Sequence, residues 1–274
     1  MEGLLFDIAL TVNEPCNLTV YSDLHLDAAG CAHNLLKAHM DKRAALPNAV
    51  FVLIGDAGNW VMPRDEKRFM PSVPLAELAA RDDYINEALD YHERKLRGYP
   101  WAFLGIGNHE HSVHKYHHFD VGRELAKRLD VPCGGYSGFA RWRLHDATCK
   151  VSAFTLLYHH GFSAGQAAGV PPPALARWAA GHEGWDLCCY GHNHKLGFQG
   201  IGQCRMTDRG EIVSRDRGFV NTGSFMKAEK QGGTPDYSEV AGHPPVMIGA
   251  PLVRFGYRRS KPVRTFWSVE VGSE

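Results

Sequence analysis

Five apolar, strand-like segments of this chain end in short polar runs rich in Asp, His and Asn, and this repeated ending constrains the fold more than any other feature. Trp101-Ala102-Phe103-Leu104-Gly105-Ile106 leads into Gly107-Asn108-His109-Glu110. Leu18-Thr19-Val20-Tyr21-Ser22 leads into Asp23-Leu24-His25, and Val50-Phe51-Val52-Leu53-Ile54 into Gly55-Asp56. Segment 151–158 leads into His159-His160-Gly161, and segment 186–190 into Gly191-His192-Asn193-His194. Hydrophobic, partly β-branched runs of this length read as buried strands. The carboxyl ends of such strands are where α/β sheets place their chemistry. One Asn-His ending is often only a cap on the backbone, whereas five in order describe a site.

The elements between these strands set the architecture. Residues 32–40 read as a helix that stops before Pro47, so the strands on either side form a β-α-β unit with a parallel pairing. Residues 75–97 read as one amphipathic helix, with Leu75, Leu78, Ile85, Leu89 and Leu96 near helical spacing and Gly98 and Pro100 closing it. Residues 121–129 form a further helix, Pro132-Cys133-Gly134-Gly135 a turn, and 174–180 a helix after three prolines. Strands over 136–144 and from Val151 pair antiparallel and add a second sheet. A short strand from Gly218 into Asn221-Thr222-Gly223-Ser224 and a last strand over 263–271 complete the set. The ligand-bearing strand ends are expected on one sheet.

A chain of 274 residues holds one large domain or two small ones; no composition shift marks a boundary, and a single domain over 1–274 is the expectation. Lys plus Arg balances Asp plus Glu at 30 each, so no whole-chain field draws in nucleic acid or an anionic membrane. The 7 cysteines are odd in number and include no C-x-x-C pair, which argues against a disulfide framework or zinc ribbon and for a reducing compartment. The first ten residues carry Glu2 and Asp7 without a basic start or long apolar core, so they do not read as a signal peptide. No run approaches the roughly 20 apolar residues that span a bilayer. A soluble, cytoplasmic protein with no membrane partner is expected.

Asp23, His25, Asp56, Asn108, His160, His192 and His194 are oxygen and nitrogen donors suited to Mn²⁺, Fe or Zn²⁺. Seven donors exceed one tetrahedral site, and a carboxylate such as Asp56 can bridge two ions. Paired ions roughly 3.5–4 Å apart grip a phosphoryl group and activate water near neutral pH. The donor set therefore points to phosphate ester hydrolysis.

In this order, Asp-x-His, Gly-Asp-x-x-Asn, Gly-Asn-His-Glu, His-Gly and Gly-His-x-His resemble the motifs of the calcineurin-like metallophosphoesterase superfamily, over residues 23–224. The Lys67-Arg68-Phe69 loop, the Asn221-Thr222-Gly223-Ser224-Phe225 turn and Pro244-Pro245 are also similar to metallophosphoesterases of bacteriophage and prophage genomes. The resemblance implies an α/β fold, a four-layer α/β/β/α sandwich of two mixed sheets flanked by helices. It implies that Asp23, His25 and His194 hold a first metal, that Asn108, His160 and His192 hold a second, and that Asp56 bridges them. Two divalent ions are the implied cofactor, with Mn²⁺ favoured. It implies further that a bridging hydroxide is the nucleophile and that His109, not a ligand, is the general acid at the leaving-group oxygen.

Two neighbours of the site qualify that picture. Either ring of His159-His160 can face the metals; family members commonly place the ligand directly before glycine, which favours His160 and leaves His159 in the core or beside the site. Protein phosphatases of the superfamily carry an aspartate three residues after the bridging one, followed by Arg-Gly; here stands Asn59-Trp60-Val61. An amide orients an imidazole without stabilising its charge as a carboxylate does. The expected activity is therefore a phosphodiesterase acting on nucleotides or nucleic acid, ahead of a broad phosphomonoesterase or a metal-free binding scaffold. Substrate-binding residues are not assigned. Arg64, Lys67 and Arg68 in the 59–74 loop are as well read as solvated as phosphate-facing. His111, His114, His117 and His118 read as a solvated helix start, and Arg141, Trp142 and Arg143 alternate in direction on a strand.

Overall fold

A computed structural model describes residues 1–61, 74–146, 150–162, 170–227, 246–260 and 263–272. Its strands are β1 Glu2–Ala9, β2 Cys16–Tyr21, β3 Ala49–Leu53, β4 Trp101–Gly105, β5 Cys133–Gly135, β6 Ser137–His145, β7 Lys150–His159, β8 Leu187–Tyr190, β9 Leu196–Met206, β10 Ile212–Thr222, β11 Leu252–Arg258 and β12 Arg264–Glu270. Its helices are α1 His33–Ala44, α2 Ala76–Ala79, α3 Tyr84–Leu96, α4 Asn108–His117, α5 Val121–Arg128 and α6 Pro173–Ala180.

These strands form two six-stranded mixed sheets, ordered β12-β11-β2-β3-β4-β5 and β1-β6-β7-β8-β10-β9. In the first sheet β2, β3, β4 and β5 run parallel, as the β-α-β reading requires. In the second, β7, β8 and β10 are parallel, while β6 and β9 pair antiparallel with β7 and β10.

Side-chain alternation along the strands produces the layers. Leu18, Val20, Val52, Ile54 and Phe103 point from the first sheet toward Trp142, Phe154, Leu156, Tyr158 and Cys189 of the second. On the reverse side of the first sheet, Tyr21, Phe51, Leu53 and Leu104 pack against Leu36, Leu89, Val113 and Leu125 of its helices. Leu157, Cys188, Tyr190 and Phe219 of the second sheet receive Leu175 and Ala179 of α6. Three apolar seams separate four layers, an α/β/β/α sandwich.

Several sequence expectations are corrected. The candidate ligands come from both sheets, not one, because a strand's apolar run shows its burial and not which sheet it joins. The helix over 75–97 is two helices, α2 and α3, broken across Arg81-Asp82-Asp83. Aspartate competes for the backbone in a helix interior and favours the start instead. Asp83 occupies the N-cap of α3, and Asn86 Nδ2 donates to its carboxylate at 2.8 Å. Cys133-Gly134-Gly135, read as part of a turn, is the edge strand β5, paired with β4. β1, β9 and β11 were not anticipated, and β10 begins six residues earlier than Gly218. Arg64, Lys67, Arg68, Phe69, Pro244 and Pro245 lie outside the described residues. Among the described residues no helix is long and apolar enough to cross a membrane.

Candidate metal centre

The turns after β2, β3 and β4 meet the turns after β7 and β8 at one edge of the sandwich, so five strand ends converge. Main-chain bonds tie the first group together: Asp23 N–H donates to Gly55 O at 3.1 Å, and Leu24 N–H to Asp56 O at 2.8 Å. The second group is tied by Gly191 N–H to His160 O at 2.7 Å. A bond between the two sheets joins the groups, His192 N–H to Asp23 Oδ2 at 2.9 Å. Backbones this close leave no room for side chains. A Cβ on Gly107 would lie 2.0 Å from Asp56 Oδ1, and one on Gly191 2.1 Å from Ser22 Oγ. That is the physical content of the glycines in the Gly-Asn-His and Gly-His endings.

Asp23, His25, Asp56, His192 and His194 all hold positive φ, between 47° and 73°. Left-handed backbone at non-glycine residues is strained and persists where the surroundings over-determine it. Its occurrence at five donor positions turns their side chains toward a common centre.

Donor atoms of Asp23, His25 and His194 lie within 4.8 Å of one another, and so do those of Asp56, His160 and His192. In the first group the Nε2 atoms of His25 and His194 are 3.2 Å apart, and His194 Nε2 is 3.5 Å from Asp23 Oδ1. In the second, His160 Nε2 lies 3.1 Å from Asp56 Oδ2 and 2.9 Å from Asn108 Oδ1. Asn108 Oδ1 also meets His192 Nδ1 at 2.7 Å. His160 Nδ1 faces Ile54 O at 3.2 Å, an arrangement that directs Nε2 into the site.

The residues fit a pair of divalent cations. Asp23 Oδ1 and His25 Nδ1 are buried without a hydrogen bond, His194 Nε2 at 3.5 Å being near the carboxylate oxygen, and a buried carboxylate oxygen without a hydrogen bond is costly unless a cation neutralises it. The donors are imidazole, amide and carboxylate, with no thiolate among them, a set for borderline to hard metals. The electrostatics of the protein alone tell the same story. Burial, then the like-charged rings of His109 and His194, push the His25 imidazole down to about 3. Burial opposes charge on His160 as well, yet the Asp56 carboxylate outweighs it and lifts that imidazole to about 9. Burial works to raise Asp23, and the His194 ring overcomes it and holds the carboxyl down at about 2.

Of the two adjacent histidines, only His160 enters the site. His159 turns to the opposite face of β7, stacked on Phe162 at 4.2 Å with Trp178 edge-on at 4.9 Å. Its Nδ1 accepts from Gly161 N–H at 2.9 Å. Burial, followed by His160 and His192, lowers its pKa to about 4.

His109 begins the helix that Asn108 opens and sits between the two groups. Its Nε2 is 3.8 Å from Asp56 Oδ2, and its ring is 4.8 Å from that of His25. Its Nδ1 bonds Asn59 at 2.8 Å through the main-chain carbonyl. The expected orientation of His109 by the Asn59 side-chain amide is thus corrected: the backbone does it, and residue identity at 59 says little about it. The solvated reading of His111 and His114 agrees with their exposure on α4. Trp142 is buried in the seam between the sheets and Arg143 pairs with Asp7.

Two buried carboxylates were missed. Glu110 accepts from Gly107 N–H at 2.8 Å, Asp56 N–H at 3.0 Å, Ala57 N–H at 2.8 Å and Trp60 Nε1–H at 2.9 Å. It fastens the loop after β3 to the helix that carries Asn108 and His109. Burial, then Asp56, raises its carboxyl to about 7. A glutamate three positions into a helix is half of a capping box, so a sequence signal existed. Asp27 grips the other end of the same loop, and no sequence signal separated it from a surface aspartate. Ser224, in the turn after β10, donates to Asp23 O at 2.8 Å.

No family model matches the chain, and no curated protein matches its sequence. Among solved structures it is similar to Vps29 of Chaetomium thermophilum, at 11% identity and TM-score 0.35, over 93% of this chain and 95% of that one. A single mutant of Vps29 from Entamoeba histolytica aligns at 12% identity and TM-score 0.29, over 93% and 99%. GAP50, the anchor in the inner membrane complex of Plasmodium, aligns at 11% identity and TM-score 0.41, over 92% and 84%. Similarity at this level says nothing of the site.

Proposed function

We propose that this chain is a metal-dependent phosphoester hydrolase of the calcineurin-like superfamily, acting on phosphodiesters of nucleotides or nucleic acid. The observation that carries the reading is the pair of donor groups, Asp23-His25-His194 and Asp56-His160-His192, with the His109 ring between them. Asp23, His25 and His194 would hold one divalent ion, Asn108, His160 and His192 the other, and Asp56 both. Such ions supply charge neutralisation at the phosphoryl oxygens and activation of water; we favour Mn²⁺.

The remaining chemistry belongs to the chain. His109 Nδ1–H is held by the Asn59 carbonyl, so Nε2 faces the centre and can deliver a proton to the departing oxygen. Glu110 fixes the height of Asp56 by accepting from Asp56 N–H with one oxygen and from Ala57 N–H with the other. The absence of an arginine at 60, where a buried tryptophan stands, favours a diester over a phosphoprotein substrate. The likeness to the bacteriophage group is carried, among the described residues, by the turn at Asn221 to Phe225. Free Cys16, Cys31, Cys133, Cys188, Cys189 and Cys204 suit a reducing compartment, and we place the reaction in the cytoplasm.

The test is hydrolysis of a nitrophenyl phosphodiester and the matching monoester, using metal-stripped protein with and without added Mn²⁺. Mn²⁺-dependent turnover with the diester preferred is the expected result. Preference for the monoester would make the protein a phosphatase, and no turnover with Mn²⁺, Fe²⁺ or Zn²⁺ would refute the hydrolase reading.

A further inference from the structure

The peptide unit joining Asn59 to Trp60 lies between a buried carboxylate and the ring of His109. Asp27 is fully buried beyond β2. Its Oδ1 accepts from Asn59 N–H at 2.5 Å, and its Oδ2 from Trp60 N–H at 2.9 Å and the Tyr84 hydroxyl at 2.6 Å. In a trans peptide the carbonyl of one residue and the N–H of the next point in opposite directions. With Trp60 N–H aimed at Asp27, the Asn59 carbonyl must face away from it, and there His109 Nδ1 meets it at 2.8 Å.

The geometry around this peptide is over-determined. Trp60 holds a left-handed φ of 48°, uncommon for a bulky side chain. Its indole donates to Glu110 Oε1 and stacks on buried His92 at 4.2 Å between ring centres. A Cβ on the preceding Gly58 would lie 2.9 Å from Asp27 Oδ1 and 2.5 Å from His92 Nε2, so the loop passes tight against the carboxylate.

We propose that Asp27 is a positioning residue for His109, its carboxylate orienting and polarising the Asn59–Trp60 peptide so that the Asn59 carbonyl holds the imidazole as a side-chain carboxylate otherwise would. The inference rests on the reading of His109 as general acid. Hydrogen bonds in series polarise one another in a low-dielectric interior. Negative charge at the Trp60 N–H enriches the Asn59 oxygen, which then holds the His109 Nδ1–H more firmly and keeps Nε2 toward the centre. In the step served, a water oxygen bonds to phosphorus and the phosphorus–oxygen bond to the leaving group breaks. The departing oxygen takes the His109 Nε2 proton, the proton lost by water goes to solvent, and the ring is reprotonated from solvent.

The experiment compares Asp27→Asn with wild type on two esters of the same phosphate, one with a nitrophenyl and one with an alkyl leaving group, at fixed Mn²⁺. An alkoxide needs a proton to depart and a nitrophenolate does not. Loss of a partner behind a functional group typically costs about 10–100-fold in activity. A kcat loss of that size on the alkyl ester, with little change in KM, bound Mn²⁺ or nitrophenyl turnover, is the expected result. Asp27→Asn in a His109→Ala background should then cause no further loss. Equal losses on both esters, or an additive double variant, would overturn the proposal. Should Asp27→Asn not fold, Tyr84→Phe is expected to shift the same ratio in the same direction by less, and an unchanged ratio would overturn it. Nitrogen NMR of the wild-type His109 ring reads the geometry without turnover: Nδ1 protonated and Nε2 bare above the ring's pKa is expected, and the reverse tautomer would refute it. An inactive wild type with the expected tautomer would sink the hydrolase reading while leaving this placement of His109 standing.

Discussion

The two sides of the candidate metal centre are built differently. On the first sheet, the loop after β3 is gripped at both ends by buried carboxylates: Glu110 holds Asp56, Ala57 and the Trp60 indole, and Asp27 holds Asn59 and Trp60. On the second sheet, His160, His192 and His194 stand on turns whose carboxylate partners, Asp23 and Asp56, belong to the first sheet. The Asn193 side chain accepts from Lys195 N–H and from Asn221 Nδ2, and His192 N–H reaches across to Asp23. The first side is organised by the protein itself. The second is positioned largely by what it shares with the first, and on the proposed reading by the ions that it would help to hold.

The largest effect should come from breaking the first side. Glu110→Ala strands four buried donors and should cost at least about 3 kcal/mol of stability by chemical denaturation, since each buried donor left unsatisfied costs about 1–3 kcal/mol. A variant within 1 kcal/mol of wild type would mean water replaces the carboxylate.

Next comes His109→Ala, which touches the chemistry and little else. Loss of a general acid removes about 10²–10⁴-fold in rate, to be read as kcat on an alkyl diester with bound Mn²⁺ unchanged. Loss of Mn²⁺ instead would make His109 a ligand, as its proximity to His25 and Asp56 permits.

The second side should respond in the opposite sense. His192→Ala removes a half-buried ring with a neutral partner and is expected to leave the metal-free protein's melting temperature nearly unchanged while reducing Mn²⁺ uptake. His159→Phe, on the far face of β7, should change neither. If His159→Phe loses metal and His160→Ala keeps it, the assignment of the two rings is reversed.

The smallest effect is one of pH. Burial lowers the pKa of His92 below its ordinary 6.5, with Asp27 opposing. Below pH 6.5 the unfolded chain therefore binds a proton that the folded chain refuses. The stability associated with a neutral His92 is full above that value and is lost as pH falls through and below it. His92→Phe, which keeps the stack on Trp60, should flatten the fall in denaturation midpoint between pH 7 and 5. An unchanged slope would place the titration elsewhere.

This asymmetry also explains what the sequence discloses. Donor residues are legible because Asp, His and Asn stand out where apolar runs stop, and five such stops occur in order. The clamps are not legible to the same degree. Glu110 follows the donor motif at capping-box spacing, but Asp27 looks like any aspartate in a polar turn until Asn59, Trp60 and Tyr84 are folded around it. The assignment of strand ends to two sheets depends on which apolar faces meet, and period-two alternation is silent on that. β9, Leu196–Met206, is mostly exposed, glycine-rich and polar, and its pairing with β10 supplies the order that its own residues do not. β11 carried a readable signal, Val253, Phe255 and Tyr257 on alternate positions facing the seam between the sheets, hidden behind a Gly- and Pro-rich approach. The break at Asp82-Asp83 shows the converse, a helical spacing continued through residues that prefer to start a helix.

On the proposed reading both sides together hold two metal ions. The most direct measurement is Mn²⁺ bound per chain by equilibrium dialysis and elemental analysis, for the wild type and for His192→Ala. Two ions per chain are expected in the wild type and one in the variant, retained by Asp23, His25 and His194. One ion or none in the wild type, or the same number in both proteins, would contradict it.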